Sequence, residues 1–190
     1  MRAPARRSSS HSLVLEAFRR SPGALWIERY RSLSPAAYRW MQTRAAKGLR
    51  FGVAARVENS RGQVLLVRLN RDSAWTRKWI TPGGGAEPGE TPREAILREI
   101  REETGVRVTN LRLWKVYHET LETEGDGGLS WDFLQFTAIW AGGRPHTRVP
   151  KEVTEARWFS RLPEDMEFRE DWLGPPRTRF RPRRTGTSPP

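Results

Sequence analysis

A short helix with two well-defined ends is the feature that most constrains this chain. Residues 79–106 read WITPGGGAEPGETPREAILREIREETGV. The run Pro82–Gly85 is unsuited to regular structure and predicts a loop whose backbone can approach a ligand closely. Residues 91–94 (TPRE) form a capping box with proline at the first helical position, and Gly105 is a natural stop. The sequence therefore predicts a helix of about 13 residues directly after a glycine-rich loop.

Three glutamates lie along one edge of this predicted helix. At about 100° per residue, Glu99, Glu102 and Glu103 share an arc of about 100°, next to the apolar stripe of Ile96 and Ile100. Like charges at this spacing repel by a few tenths of a kcal/mol per pair, so a cation at this edge would stabilise the helix. Hard oxygen donors indicate Mg²⁺ or Mn²⁺, whose usual partner is a phosphate. The alternative is a solvated face balanced by the helix arginines, and the neighbouring glycine-rich loop favours a ligand site.

This segment resembles the signature of the Nudix hydrolases, G-x5-E-x7-R-E-U-x-E-E-x-G-U, where U is aliphatic. Every fixed position is present with its spacing intact: Gly84, Glu90, Arg98, Glu99, Ile100, Glu102, Glu103, Gly105 and Val106. The resemblance implies an α/β fold, a three-layer α/β/α sandwich with a mixed β-sheet. It also implies Mg²⁺-dependent (or Mn²⁺-dependent) hydrolysis of a nucleoside diphosphate linked to another group.

The resemblance also assigns roles to single residues. The metal ligands it implies are Glu99, Glu102, Glu103 and the backbone carbonyl of Gly83. Arg98 would pair with Glu90 and hold the loop at Gly84 against the helix, a supporting role.

The general base has more than one candidate. One is Glu102 in the signature itself. Another is Glu152, which precedes the Trp-Phe of the last predicted strand and is favoured over Glu155. The alternative is that both loop glutamates are ordinary surface charges.

The pattern around the signature predicts a mixed α/β domain. Strand-like runs occur at Phe51–Val57, Val64–Leu69, Val106–Thr120, Trp131–Ala141 and Ala156–Ser160. A polar loop is predicted at 122–128 and a last helix at 164–173.

Four regions follow from these patterns. They are a disordered basic start at 1–11, a helical N-terminal extension at 12–49, a Nudix hydrolase domain at 50–173 and a disordered Pro/Arg-rich tail at 174–190. In the extension, helices are predicted around 13–18, at 24–33 and at 36–47, the last capped by Ser34 and Pro35.

The positive charge is concentrated at the two ends. Residues 1–50 carry 11 Lys and Arg against 2 acids, residues 174–190 carry 5 arginines and no acid, and residues 51–173 carry 18 basic and 20 acidic residues. The ends could make weak, salt-sensitive nucleic-acid contacts, or they could reflect composition alone. The extension could also dock a partner or form a homodimer.

Composition excludes several classes of protein. There are no cysteines, which excludes disulfides and thiolate metal sites, and no apolar run is long enough to cross a membrane. We expect a cytoplasmic enzyme, although the Arg/Ser-rich start weakly resembles an organellar transit peptide.

Substrate recognition is less constrained by sequence. Trp131, which borders the polar loop, is the leading candidate to stack a base, and Arg56 and Arg68 are candidates for anionic groups. Further candidates are Trp75, Trp79, Trp140, His118 and Arg77, and for each the alternative is an ordinary core or surface position.

The choice among ADP-ribose, dinucleoside polyphosphates, nucleoside triphosphates and capped RNA stays open. A second function class is a Nudix-like module that senses a nucleotide without cleaving it. The intact carboxylate cluster favours the enzyme.

Overall fold

The computed structural model describes residues 9–70 and 78–174. Helices in this part of the chain are α1 (Ser10–Arg19), α2 (Pro35–Ala46), α3 (Pro92–Thr104) and a 3₁₀ helix at Arg169–Trp172. The strands are β1 (Leu25–Ser32), β2 (Phe51–Glu58), β3 (Val64–Leu69), β4 (Trp79–Ile80), β5 (Gly83–Gly85), β6 (Arg107–Thr123), β7 (Asp126–Gly142) and β8 (Val153–Phe159).

The strands form one mixed sheet. Its order is β1-β6-β7-β2-β3-β4, with β5 beside β2 and β8 beside β3. β1 runs parallel to β6 and β2 runs parallel to β7, whereas the other pairs are antiparallel. The mixed sheet predicted from the resemblance is therefore confirmed.

Helices cover both faces of the sheet. Successive residues of β2 point to opposite faces, so Val53 and Ala54 belong to different apolar clusters. The cluster on the first face includes α1 and α3 through Val14, Ala95, Ile96 and Ile100. The opposite face packs against α2 through Tyr38 and Met41 and against the C-terminal segment through Met166 and Trp172. This arrangement is the predicted α/β/α sandwich.

The N-terminal extension is a helix–strand–helix unit. The prediction of a helix at 24–33 is wrong, because β1 lies there and pairs with β6 from Leu25 opposite Lys115 to Ser32 opposite Glu122. Pairing with the edge of β6 supplies its backbone with partners and overrides local helical periodicity. Helix α2 begins where predicted, with Ser34 as its N-cap. Helix α1 begins at Ser10, inside the segment predicted to be disordered.

Three further predictions need correction. The prediction of a loop at Pro82–Gly85 is wrong, because Gly83–Gly85 form β5 and pair with β2, whose close backbone approach the glycines permit. The predicted polar loop at 122–128 is a tight hairpin, in which Glu124 and Gly125 separate β6 from β7 and Gly125 adopts a φ of +78°. The predicted helix at 164–173 is reduced to the 3₁₀ helix at its end. The predictions for residues 1–8 and 175–190 lie outside the described residues. No helix in the described part of the chain has the length and apolarity to cross a membrane.

Candidate active site

Helix α3 carries the site, and its two ends are built as the sequence predicts. The side chain of Thr91 accepts a hydrogen bond from the Glu94 amide, and the Glu94 carboxylate accepts one from the Thr91 amide. The helix ends at Gly105, whose φ of +66° is the left-handed conformation that glycine adopts without strain. These caps fix where the helix begins and ends, and therefore the direction in which each of its glutamates points.

The glycine-rich segment lies directly against two of the glutamates. The amide of Gly83 donates to Oε2 of Glu103 at 2.8 Å. At Gly84 the backbone approaches the Glu99 carboxylate so closely that a Cβ there would collide with it. Only glycine allows this contact, which brings the Gly83 backbone beside the carboxylates.

Arg98 ties the loop to the helix. Its Nε and Nη2 atoms donate to the two oxygens of Glu90 at 2.7 and 3.0 Å, and Nη2 also donates to the carbonyl of Gly85 at 3.1 Å. Its Nη1 donates to Glu99 at 2.9 Å and to Glu102 at 3.2 Å. A bidentate guanidinium–carboxylate pair has strict geometry, so Arg98 positions the loop and two carboxylates together.

Burial disfavours the charged forms of Glu99 and Glu103, the two least exposed carboxylates of the helix. Burial raises the pKa of Glu99 to about 6, although the neighbouring Arg98 opposes the change. Burial, followed by repulsion from Glu99, raises the pKa of Glu103 well above its usual range. Glu102 is more open, with 46% of its side chain exposed.

This donor set fits a hard divalent cation. Arg98 bonds to Glu99 and Glu102, the Gly83 amide bonds to Glu103, and the charge of Glu99 acts on Glu103, so the three carboxylates lie along one edge of α3. Burial and mutual repulsion leave negative charge that a divalent ion would neutralise. Oxygen-only donors suit Mg²⁺ or Mn²⁺ better than a softer metal.

Glu152 precedes β8, whereas Glu155 lies within this strand and not in the loop predicted for it, so the two glutamates have different surroundings. The charge of Glu152 contributes to raising the pKa of both Glu99 and Glu103, so Glu152 is close enough to act on this site. Its side chain is exposed. Glu155 lies within 3.5 Å of Arg157, which partly neutralises it.

Most of the residues proposed for substrate binding make structural contacts instead. Trp131 is only 1% exposed and packs in the core with Tyr38 and Met41, so the expectation that it stacks a base is wrong. Arg56 pairs with Glu58 at 2.6 Å and donates to the carbonyl of Trp172.

The remaining candidates are distributed over several environments. Arg68 is partly exposed, lies 3.7 Å from Asp165 and places its guanidinium over the buried Trp79. Trp140 packs against the core and donates to the carbonyl of Gly143. His118 is bonded to Asp132. Trp75 and Arg77 lie outside the described residues.

Two residues of α2 reach this region, and the sequence alone does not identify them. Arg44 donates to the carbonyl of Ala86, and its guanidinium lies where a Cβ at Gly85 would be. Its Nε is buried without a hydrogen-bond partner among the described residues. Burial lowers the pKa of Arg44, an effect that the charge of Glu99 opposes.

The second residue is Trp40, one turn earlier on α2. The Arg44 guanidinium lies 5.1 Å from its ring centroid, and 43% of Trp40 is exposed. Trp40 and Arg44 are four residues apart, so the predicted helix already places them on one face. What the sequence lacked was any sign that this helix lies beside the glycine-rich segment.

Comparisons with known proteins agree with this geometry. The model of the family described as NUDIX domain matches residues 48–175. The chain is 35% identical over 103 residues to the NAD-capped RNA hydrolase NudC of Pseudomonas putida (strain W619), covering 52% of this chain and 32% of that protein. It is 36% identical over 85 residues to the m7GpppN-mRNA hydrolase NUDT17 of Xenopus laevis. This match covers 42% of this chain and 29% of that protein.

The matched region therefore spans about a third of the length of these curated relatives. Among solved structures, the MutT NUDIX hydrolase from Burkholderia pseudomallei is similar with a TM-score of 0.53 at 24% identity, covering 63% of this chain and 91% of that chain. At that identity the likeness establishes the fold.

Proposed function

Because the chain belongs to the Nudix hydrolase family, we propose that it hydrolyses the pyrophosphate bond of a nucleoside diphosphate linked to another group, with Mg²⁺ or Mn²⁺ as cofactor. The observation that carries the proposal is the placement of Glu99 and Glu103 directly against β5, with Glu102 held beside Glu99 by Arg98. A protein that only binds nucleotides gains nothing from this repulsive and partly buried cluster.

The metal would be held by these three glutamates and by the carbonyl of Gly83. When bound, it would neutralise phosphate charge and lower the pKa of a coordinated water. Arg98 holds Glu99 and Glu102 at 2.9 and 3.2 Å and Glu90 at 2.7 Å, which keeps the ligands in place before the substrate arrives.

A carboxylate must accept the proton of the attacking water. The water oxygen forms a bond to one phosphorus, the bridging P–O bond breaks, and the leaving phosphate departs with the bridging oxygen. Glu102 and Glu152 both have accessible side chains near the buried pair and are the candidates for this step. Glu152 is favoured over Glu155 because Glu155 is paired with Arg157.

The Trp40–Arg44 pair of α2 would form the substrate-facing edge of the site. The guanidinium of Arg44 is suited to a phosphate oxygen because it is a cation that lies against Gly85 and interacts with the charge of Glu99. The exposed ring of Trp40 beside it offers a face on which a base can stack. Both groups would bind the substrate and take no part in proton transfer.

Capped RNA is the first substrate class to test. Two relatives are named as hydrolases of NAD-capped RNA and of m7GpppN-mRNA. The 11 Lys and Arg against 2 acids in residues 1–50 would favour a polyanionic chain attached to the cap. If the ends bind RNA, the KM for a capped RNA rises steeply with salt, whereas that for the free cap dinucleotide changes little.

The deciding experiment is a substrate panel with Mg²⁺ or Mn²⁺. It includes NAD⁺, ADP-ribose, a dinucleoside polyphosphate, nucleoside triphosphates, NAD-capped RNA and m7G-capped RNA. We expect release of a nucleoside monophosphate or a monophosphorylated RNA end, lost in Glu102→Gln and retained in the control Glu124→Gln at the distant hairpin turn. Reaction in heavy-oxygen water would show which phosphorus is attacked. Tight binding without turnover of any member would instead establish a nucleotide-sensing module.

The choice of base needs a matched pair of variants. If Glu152 accepts the proton, Glu152→Gln lowers kcat by at least about 100-fold without changing Mg²⁺ affinity, whereas Glu155→Gln retains kcat. Equal kcat in the two variants would leave Glu102 as the base.

A further inference from the structure

A second constellation of metal-ligating side chains lies outside the glutamate cluster. His11 of α1, His118 of β6 and Asp132 of β7 each offer one ligand atom, and these atoms all lie within 4.8 Å of one another. Nδ1 of His11 is 2.8 Å from one oxygen of Asp132, and Nδ1 of His118 is 2.6 Å from the other. Both imidazoles therefore point their ring nitrogens at the same carboxylate.

The carboxylate of Asp132 is the buried centre of this group. The residue is 2% exposed, and in the described part of the chain its ion-pair partners are only the two histidines. A buried carboxylate needs compensating charge or hydrogen bonds, because desolvation penalises its charged form. The two imidazoles supply hydrogen bonds to Asp132, and a bound cation would add compensating charge.

The ring of Trp26 packs against one side of this cluster. The ring of Trp26 stacks on His118 with centroids 5.7 Å apart and meets His11 edge-on at 6.3 Å. This contact restricts the orientation of both imidazoles, while 47% of the His11 side chain and 28% of the His118 side chain stay exposed, so an ion can reach them. Packing that fixes the orientation of histidine rings is typical of metal sites in proteins.

From this geometry we propose that His11, His118 and Asp132 form a site for a borderline divalent transition metal such as Zn²⁺. Two imidazole nitrogens and one carboxylate oxygen are the donors that Zn²⁺, Co²⁺ and Ni²⁺ bind, and they suit Mg²⁺ poorly. On binding, each Nδ1 would offer its lone pair to the metal in place of its contact with Asp132, and the ring proton would be carried on Nε2. The donor chemistry therefore separates this site from the all-oxygen cluster on α3.

The metal would act as a clamp on the N-terminal extension. His11 lies in the first turn of α1, whereas the other two ligands lie on neighbouring central strands. A bound ion joins residue 11 to residues 118 and 132, and so secures the helix that places Val14 in the core. Since the ion binds only the folded arrangement, it stabilises the fold in proportion to its saturation.

The test is Co²⁺ and Zn²⁺ binding to the full chain in excess Mg²⁺, which occupies the carboxylates of α3. The chain has three histidines, so His146→Gln is a matched control for His11→Gln and His118→Gln. We expect one Co²⁺ per chain with visible d–d absorption, displaced by Zn²⁺, in the wild type and in His146→Gln. We expect an affinity loss of about tenfold or more in each of the other two variants.

A second measurement addresses the clamp. Zn²⁺ should raise the midpoint of thermal unfolding in the wild type and in His146→Gln, and should slow proteolysis of the α1 segment. His11→Gln should lose both effects, and it is expected to fold because its side chain is 47% exposed. Absence of saturable binding in the wild type, or equal binding in all four proteins, would overturn the proposal and leave a hydrogen-bonded His–Asp–His triad without metal.

Discussion

Replacing Glu99 with glutamine should stabilise the metal-free protein while impairing its activity. The folded protein raises the pKa of this carboxyl from 4.5 to about 6, so the folded state binds its proton more tightly than the unfolded chain does. The stability due to this group is therefore complete below about pH 4.5 and is lost as the pH rises through about 6. Glutamine mimics the protonated form at every pH and retains an acceptor for Arg98.

The size of the effect follows from the two pKa values. Their difference corresponds to about 2 kcal/mol between low pH and neutral pH. Only 11% of the Glu99 side chain is exposed, so solvent screening reduces this figure little. Removing its charge also relieves the repulsion that Glu103 experiences, which acts in the same direction.

The assay is urea unfolding of both proteins with a chelator present, at pH 4.5 and at pH 7.5. We expect Glu99→Gln to match the wild type at the lower pH and to exceed its free energy of unfolding by about 2 kcal/mol at the higher. Added Mg²⁺ should stabilise the wild type more than the variant, because the variant lacks one ligand. A variant less stable than the wild type at pH 7.5 without metal would refute the argument that burial disfavours this carboxylate.

Three other substitutions test the loop, the helix and the substrate edge. Thr91→Ala removes the cap that accepts from Glu94 and should lower the free energy of unfolding by about 1 kcal/mol, measured in urea. Gly84→Ala places a methyl group against Glu99 and should weaken Mg²⁺ binding by about tenfold or more, measured calorimetrically. Trp40→Ala removes an exposed stacking face and should raise KM about fivefold or more with little change in kcat, measured by steady-state kinetics.

Each of these substitutions has a control elsewhere in the chain. Thr43 lies on α2 and donates to the carbonyl of Arg39 in its own helix, so Thr43→Ala should cost less stability than the cap substitution. Gly127→Ala in the distant hairpin should leave Mg²⁺ affinity unchanged, and Tyr30→Ala on the outer strand should leave KM unchanged. A control that behaves like its partner variant would contradict the assigned role.

Features of α3 were predictable because they are local. The capping box, the stop at Gly105 and the glutamate spacing all lie within one short segment, so periodicity and capping rules suffice. The strands from Phe51 to Leu69 were predictable for the same reason. The proximity of Glu99 to the glycines was predictable from their closeness in sequence, whereas the pairing of Gly83–Gly85 with β2 was not, because their partners lie about 30 residues away.

Features that depend on distant parts of the chain were not predictable. β1 pairs with β6, whose partner residues lie about 90 positions further along the chain, so its strand character is determined by the sheet edge. The position of Trp131 beside polar residues makes it a candidate to stack a base, yet packing of α2 over the sheet buries it. Arg44 reaches the site only because α2 lies across the sheet beside β5.

The integration of α1, β1 and α2 into the sandwich bears on where the folding unit begins. A polypeptide starting at residue 48, where the family match begins, would lose Val14 from the core, expose the outer edge of β6 and discard Arg44. An uncovered strand edge invites intermolecular pairing and aggregation. We therefore expect a stable fragment of this protein to include α1, β1 and α2 as well as the residues matched by the family.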